Sequence, residues 1–125
     1  MSARATGHRI ETVQSTQHVR VEVDGELIAE SRRPLALHET GHATRWYLPL
    51  EDVREGVLEP SDRTSHCPFK GDASYFSVRA GGKLHRDLAW TYVDPLPERR
   101  DIAGFVCFFD ERVDLTVDPP GVPAA

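Results

Sequence analysis

A β-fold is indicated first by His18-Val19-Arg20-Val21-Glu22-Val23-Asp24-Gly25. Its valines alternate with polar residues at a period of two, which places them on one face of an extended strand. Asp24-Gly25 is a dipeptide typical of a two-residue hairpin turn. We therefore predict that the following segment, Glu26–Ser31, returns as the second arm of a β-hairpin.

The same alternation recurs along the chain. Residues 35–39 and 43–48 flank Thr40-Gly41-His42 and predict a second hairpin. Further predicted strands cover residues 73–79, 84–92, 102–109 and 113–118. We expect one short helix from Glu51 to Leu58, because acids precede an apolar face there, and a loop over residues 59–66.

These elements predict a mainly β fold, in which a bent antiparallel sheet closes into a small sandwich or barrel-like single domain. A doubly wound α/β fold is excluded because long helical segments are lacking. Aromatic side chains in alternating strands usually pack inside, so we expect five of them in the core. They are Trp46, Phe76, Phe105, Phe108 and Phe109.

Length and charge limit the function classes. The chain has 125 residues, which suits one domain that buries a core without disulfides or a structural metal. Its net charge of −5 argues against a general nucleic-acid binder, which needs a basic face. No apolar run could span a bilayer, and residues 1–8 lack the apolar stretch of a signal peptide. We therefore expect a cytoplasmic protein without membrane contact.

One turn is the strongest sign of a functional site: Cys67-Pro68-Phe69-Lys70-Gly71. Proline fixes its own φ and glycine accepts a positive φ, so the main chain holds Lys70 in addition to side-chain packing. Binding loops are commonly built in this way. The turn predicts a site around Lys70 without indicating a reaction.

Several segments, in this order, resemble the DUF427 family. They are Asp24-Gly25-Glu26, Trp46-Tyr47-Leu48-Pro49 with Glu51-Asp52-Val53, residues 64–71 with the Cys-Pro-aromatic-Lys-Gly element, Ala73-Ser74-Tyr75-Phe76, residues 89–95 and residues 102–109. The family usually has tyrosine at the position of Phe69. The resemblance implies a domain of unknown function over residues 18–118, between an N-terminal extension, 1–17, and a loose tail, 119–125.

The family is sometimes labelled nucleotidyltransferase-like. That chemistry normally uses a Gly-Ser turn followed by paired aspartates, which hold metal ions against a triphosphate. The chain contains neither Gly-Ser nor Asp-x-Asp. Since a label at the level of the fold does not establish a site, nucleotidyl transfer is less well supported than a binding role.

A ligand pocket is predicted where strand alternation and the Lys70 turn direct polar side chains to one place. Arg45 and Tyr47 share a strand face, and Glu39 lies on the partner strand. Two cations and a carboxylate beside an aromatic wall suit a small molecule with a carboxylate or phosphate group. The predicted ligand-binding residues are Glu39, Arg45, Tyr47, Lys70, Tyr75 and Trp90. The alternative is a surface Arg45–Glu39 ion pair, with Trp90 in the core and Lys70 in water.

The second hypothesis is an enzyme that uses Lys70, Glu39 or Cys67 in acid-base or nucleophilic chemistry. His66 beside Cys67 suggests a base next to a nucleophile, but neighbouring side chains rarely aim at one substrate. A structural cysteine is therefore the simpler interpretation. Cys67 and Cys107 have no metal-type spacing and are expected to be reduced thiols.

His38, His42 and Glu39 surround one turn and could approach a zinc ion together. A solvated loop explains them equally well, so we predict no metal site and no cofactor. An apolar strand at an exposed sheet edge would suit a homodimer.

Overall fold

The structure, a computed structural model, describes residues 7–123 of the chain. Ten strands and three short 3-10 helices lie in this range. The strands are β1 Ile10–Gln14, β2 His18–Val23, β3 Glu26–Ser31, β4 Leu35–Glu39, β5 Arg45–Pro49, β6 Leu58–Cys67, β7 Gly71–Ala80, β8 Lys83–Thr91, β9 Phe105–Phe108 and β10 Asp114–Asp118. The 3-10 helices are Leu50–Asp52, Pro97–Ile102 and Asp110–Arg112.

Two antiparallel sheets form a sandwich-like single domain. The larger sheet has seven strands in the order β1-β4-β5-β9-β8-β7-β6, and the smaller has three in the order β10-β2-β3. Because β1 and β6 lie at opposite ends of the larger sheet, that sheet is open and does not close into a barrel. The mainly β fold predicted from the sequence is confirmed, in its sandwich form.

Both predicted hairpins are present. In the first, β2 pairs with β3 from Val19 opposite Ser31 to Val23 opposite Glu26. Asp24 and Gly25 in its turn have φ values of 52° and 78°. A two-residue turn with positive φ at both positions matches the right-handed twist of the strands, which explains the Asp-Gly dipeptide.

The central strands of the larger sheet are apolar on both faces. Neighbouring residues of β5 therefore point to opposite faces and belong to different buried clusters: Trp46 is in one cluster and Tyr47 is in another. On β8 the same division places Ala89 in the first cluster and Trp90 in the second. The first cluster includes valines of the smaller sheet, such as Val21, and is therefore the core between the two sheets. The second cluster covers the outer face of the larger sheet.

The segment predicted as a short helix and a following loop is mostly extended. Only Leu50–Asp52 is helical, as one 3-10 turn, because Val53 forms a β-bridge with Ala29 and Gly56 has a φ of +84°. The prediction of a loop over residues 59–66 is wrong, since β6 runs through it. β6 is the last strand of its sheet, where proline and exposed polar residues are tolerated, so its composition is that of a loop.

The apolar run at residues 102–109 forms a shorter strand than predicted. Ile102 ends a 3-10 helix and Gly104 has a φ of +82°, so β9 begins only at Phe105. Among the aromatic residues expected in the core, Trp46 and Phe108 are buried. Phe76, Phe105 and Phe109 are partly buried and pack against the two clusters.

β1 lies within the segment predicted as an N-terminal extension. It pairs with β4 along its length, from Ile10 opposite Glu39 to Gln14 opposite Leu35. The division of the chain after residues 17 and 118 stays a prediction, and residues 1–6 and 124–125 of the end segments lie outside the described range. No helix within the described range is long and apolar enough to cross a membrane.

Candidate functional site

The Cys67–Gly71 turn connects β6 to β7 and is held by the main chain. The Lys70 amide donates to the Cys67 carbonyl at 3.1 Å, and the Lys70 carbonyl accepts from the Leu96 amide at 2.8 Å. Gly71 has a φ of +120°, and a Cβ at this position would lie 3.3 Å from Pro95 Cα. Glycine is therefore required here by backbone conformation and by the close approach of a second segment.

The Lys70 side chain points into the protein. It is 10% exposed, and its Nζ donates to Glu39 Oε1 at 2.8 Å. Cys67 Sγ is a second, weaker acceptor at 3.7 Å. Glu39 is itself 13% exposed, so the two opposite charges are removed from water together. An ion pair in such surroundings is screened far less than one on the surface.

Lys70 and Glu39 border a cavity of about 460 Å³ on the outer face of the larger sheet. Its floor includes apolar and aromatic side chains of the second buried cluster, among them Leu37 and Tyr92. The structure brings the six predicted ligand-binding residues together around this cavity: Glu39, Arg45, Tyr47, Lys70, Tyr75 and Trp90 all line it. Cys67 lines it as well.

Arg45 forms a second cationic wall of the cavity. Its guanidinium carbon lies 5.1 Å from the centroid of the Trp90 ring, within the range of a cation–π contact. Arg45 Nη1 is 3.5 Å from Glu111 Oε1 and 3.9 Å from Asp110 Oδ1. Glu39 pairs with Lys70 instead, so the Arg45–Glu39 ion pair that the sequence left open is not the arrangement found.

Partial burial raises the pKa of the Asp110 carboxyl above its ordinary value, even though Arg45 opposes the shift; Glu111 adds to it. Asp110 Oδ1 is buried and forms no hydrogen bond with the described residues. Its carboxylate is therefore a poorly solvated neighbour of Arg45 and leaves that guanidinium only partly neutralised.

Three tyrosines contribute neutral polar groups. Tyr47 Oη accepts a hydrogen bond from Trp90 Nε1 at 3.3 Å, and Tyr75 Oη is 2.9 Å from Ser65 Oγ. Burial raises the pKa of the Tyr47 phenol far above its ordinary range, and burial also raises the pKa of Tyr92. Both phenols therefore remain protonated at neutral pH.

His8 is a cavity residue that sequence reasoning missed. Its ring stacks on Phe69 with centroids 3.9 Å apart, and its Nε2 lies 3.3 Å from Glu39 Oε2. No pattern in the first residues of the chain signalled this position. Tyr92 was also missed, although it follows Trp90 by two residues and alternation could have placed it on the same face.

The histidines considered for catalysis or metal binding are less well assembled than Lys70, Glu39 and Cys67, which all line the cavity. His66 is 67% exposed and its Nδ1 pairs with Asp72 Oδ1 at 2.7 Å, so its ring is engaged away from Cys67. His38 Nδ1 pairs with Thr44 Oγ1 at 2.9 Å, while Glu39 is occupied by Lys70. Over residues 7–123, no group of three or more His, Cys, Asp or Glu side chains is placed to hold a metal ion.

The acids that most nearly imitate a nucleotidyltransferase site lie elsewhere. Asp24 contacts His85 at 3.1 Å, and Glu26 accepts from the Gly81 amide at 3.0 Å. Asp24 lies in the hairpin turn of the smaller sheet and Glu26 begins β3 beside it, and neither lines the cavity. These two acids therefore do not face the cavity around Lys70.

Comparison with curated proteins gave no significant match. Residues 11–119, which include every strand from β2 to β10, match a family described as a domain of unknown function, DUF427. The match covers the Cys67–Gly71 turn and all cavity residues except His8. The chain belongs to the DUF427 family.

Proposed function

We propose that the protein binds a small anionic metabolite in the cavity around Lys70. The observation that carries this proposal is an ammonium group withdrawn from solvent and aimed into a cavity of about 460 Å³ that Arg45 also lines. Concave sites of this size, mostly apolar with a few converging polar groups, are the usual form of small-molecule sites.

The two cations retain donors for a ligand. A lysine ammonium has three donors, of which Glu39 takes one at 2.8 Å and Cys67 Sγ takes a weak one at 3.7 Å. Among the described residues, Arg45 contacts acids through Nη1 at 3.5 Å or more, which leaves most of its guanidinium fork available. A carboxylate or phosphate oxygen between the two would receive charge-assisted hydrogen bonds.

The aromatic walls add apolar contact for the rest of the ligand. Trp90 contacts both Arg45 and Phe109, and the ring centroids of Trp90 and Phe109 are 4.6 Å apart. Such walls favour a ligand whose anionic group is attached to an apolar or planar body. The protonated phenol of Tyr92 supplies a further neutral group without adding negative charge.

Thermal-shift screening against metabolite carboxylates and phosphates tests the proposal. We expect a stabilising ligand for the wild-type protein and loss of that stabilisation in Lys70→Met, because a ligand that binds only the folded state raises the melting temperature. The matched control is Lys83→Met, since Lys70 and Lys83 are the two lysines of the chain and Lys83, at the start of β8, is 67% exposed and does not line the cavity.

A double variant distinguishes loss of ligand binding from a folding defect. Lys70→Met alone leaves the Glu39 carboxylate buried without its partner, whereas Lys70→Met with Glu39→Gln removes both charges. No stabilising ligand, or an equal shift in both Lys70 variants and the wild type, would contradict the proposal. The same experiment tests the enzyme alternative with Lys70, Glu39 or Cys67 if the ligand is recovered after incubation and analysed. Chemical conversion of the ligand by the wild-type protein, and its loss in Lys70→Met, would favour an enzyme.

A further inference from the structure

Lys70 has the surroundings of a nucleophilic amine. Its side chain is 10% exposed and lines the cavity, whereas Lys83, the other lysine of the chain, is 67% exposed and does not line it. A lysine amine attacks an electrophile only after the ammonium has lost a proton, and an adjacent base can take that proton. Glu39 Oε1, 2.8 Å from Lys70 Nζ, is placed to do so.

The Glu39 carboxylate has a nitrogen neighbour at each of its oxygens. Lys70 Nζ contacts Oε1, and His8 Nε2 lies 3.3 Å from Oε2. The His8 ring is itself stacked on Phe69, with centroids 3.9 Å apart. A nucleophile, a base within hydrogen-bond distance and a third group beside the base form the arrangement typical of an activated nucleophile.

The charge of the buried pair favours one type of covalent product. An acylated lysine is neutral, so acylation would leave the Glu39 carboxylate, which is 13% exposed, without a compensating charge. A protonated imine keeps one positive charge on the same nitrogen. Condensation of Lys70 with a carbonyl group therefore preserves the ion pair, and lysine amines form such Schiff bases with carbonyl substrates.

Arg45 lies near this pair on the same face of the sheet. It is opposite Leu37 in the pairing of β4 with β5, and Leu37 and Glu39, two residues apart on β4, both line the cavity with it. Diagonal neighbours on adjacent strands, such as Glu39 and Arg45, are about 7–8 Å apart. One small molecule can therefore contact the Arg45 guanidinium while its carbonyl carbon lies at Lys70 Nζ.

We propose that Lys70 forms a reversible imine with a small aldehyde or ketone that carries a carboxylate or phosphate group. This inference rests on the proposed function of the cavity and defines its ligand class. Arg45 binds the anionic group through charge-assisted hydrogen bonds, and Glu39 moves the protons. Carboxylate and phosphate groups share the chemistry that a guanidinium recognises.

The condensation needs no partner besides the carbonyl compound. The Lys70 ammonium transfers a proton to Glu39, and the amine lone pair bonds to the carbonyl carbon while the carbonyl π pair moves to oxygen. A proton passes from the nitrogen to that oxygen, which gives a neutral carbinolamine. Glu39 returns its proton to the hydroxyl, the C–O bond breaks, water leaves and the nitrogen lone pair completes the C=N bond. One ammonium and one carbonyl thus give one iminium and one water, and the Glu39 carboxylate is regenerated.

Reductive trapping with cyanoborohydride tests this inference, because it converts an imine into a stable secondary amine that mass spectrometry assigns to one lysine. The anionic probes are succinic semialdehyde, levulinate and glycolaldehyde phosphate, and their neutral counterparts are butanal, methyl propyl ketone and glycolaldehyde. We expect at least one anionic probe to label Lys70 about tenfold or more faster than Lys83 in the same molecules, since general acid-base catalysis contributes at least that much. The neutral counterpart should lose this selectivity.

Three variants complete the experiment. Lys83→Met should keep the labelling of Lys70, whereas Lys70→Met and the charge-neutral Lys70→Met with Glu39→Gln should show no fast-labelled site. Glu39→Gln alone retains the amine but lacks the base, so its labelling at neutral pH should be about tenfold or more slower. An unchanged rate would overturn the assigned role of Glu39.

The outcomes separate this inference from the proposed binding function. Equal labelling of Lys70 and Lys83, or equal selectivity with neutral and anionic probes, would overturn the inference. If anions still stabilise the wild-type protein and that stabilisation is lost in Lys70→Met, the binding function stands without the imine. Absence of both stabilisation by anions and labelling of Lys70 would overturn both proposals.

Discussion

The buried pair of Lys70 and Glu39 ties the stability of the domain to its candidate site. Each side chain is at most 13% exposed, so removal of one partner leaves the other charge without compensation in poorly hydrated surroundings. Breaking a buried ion pair from one side typically costs about 3–5 kcal/mol, whereas replacing both members is often neutral. A ligand anion at Lys70 must therefore share the ammonium with Glu39 and does not displace it.

Asp110 gives a prediction about pH at the residue scale. Burial raises the pKa of its carboxyl in the folded state, so the folded protein holds this proton more tightly than the unfolded chain does. The stabilisation that comes from holding this proton is fully present below the pKa of Asp110 in the unfolded chain, about 3.9. It is lost as the pH rises through the pKa of Asp110 in the folded protein. Asp110→Asn should therefore be more stable than wild type at neutral pH, with an advantage that shrinks toward about pH 4.

Denaturant unfolding of the wild type and Asp110→Asn, at neutral pH and at about pH 4, measures this difference in stability. NMR titration of the Asp110 carboxyl measures the pKa itself. A pKa at or below the ordinary value of about 3.9 would contradict the prediction. So would a stability difference that is constant across the range. The isosteric amide keeps the side-chain volume, so packing changes do not complicate the comparison.

Strand alternation was sufficient to place some cavity residues and insufficient for others. Arg45 and Tyr47 were grouped correctly because residues two apart on a strand share a face. His8, which lines the cavity, and Asp110, which lies beside Arg45 without lining it, had no such signal. Each lies outside a predicted strand and is brought to its neighbours by tertiary contacts. A local sequence pattern predicts which residues share a face of one strand. It does not predict the ion pair of Lys70 with Glu39, because these residues are 31 positions apart in the chain.

At the scale of elements, the conformation of the Cys67–Gly71 turn requires glycine at position 71, and this requirement can be tested. Alanine there must adopt a φ of +120°, which side chains rarely permit, and place its Cβ 3.3 Å from Pro95 Cα. We expect Gly71→Ala to lower the free energy of unfolding by about 1–3 kcal/mol, as for other strained backbone positions. Denaturant unfolding gives the value.

Gly82→Ala is the control for this prediction. Gly82 also has a positive φ, +80°, but a Cβ there would meet no atom within 4 Å. Gly71→Ala should therefore be the more destabilising of the two, because it adds a steric conflict to the backbone cost. Equal losses would show that the contact with the Pro95 segment contributes nothing to the stability of the turn.

β6 shows why the predicted elements were incomplete. Its pairing with β7 shifts register between Pro60 and Thr64, and six of its ten residues are exposed. A strand at the end of a sheet needs apolar residues on one face at most, so its sequence resembles that of a loop. The central strands were located because burial on both faces gives a continuous apolar signal, as at residues 105–108, although the run at 102–109 predicted a longer strand than β9.

At the scale of the whole molecule, the larger sheet separates the core between the sheets from the cluster beneath the cavity. The two tryptophans of the chain report on these two regions, since Trp46 belongs to the first and Trp90 to the second. Both occupy β-strands of one sheet, on opposite faces. A domain of this size is expected to unfold in one cooperative transition, so the two regions should lose structure together.

Trp46→Phe and Trp90→Phe each leave one tryptophan as the fluorescence probe. We expect coincident denaturant transitions for the two probes when each is compared with circular dichroism of the same variant. Ile28→Ala, a deletion at a fully buried position of the smaller sheet, should lower the free energy of unfolding by about 2–5 kcal/mol as seen by either probe. Two results would contradict this expectation: a Trp90 fluorescence transition at lower denaturant than the far-ultraviolet circular dichroism transition, or a Trp90 transition whose midpoint Ile28→Ala does not change. Either result would mean that the cavity face unfolds independently of the core between the sheets, because only a separately unfolding region is unaffected by a destabilising substitution in that core.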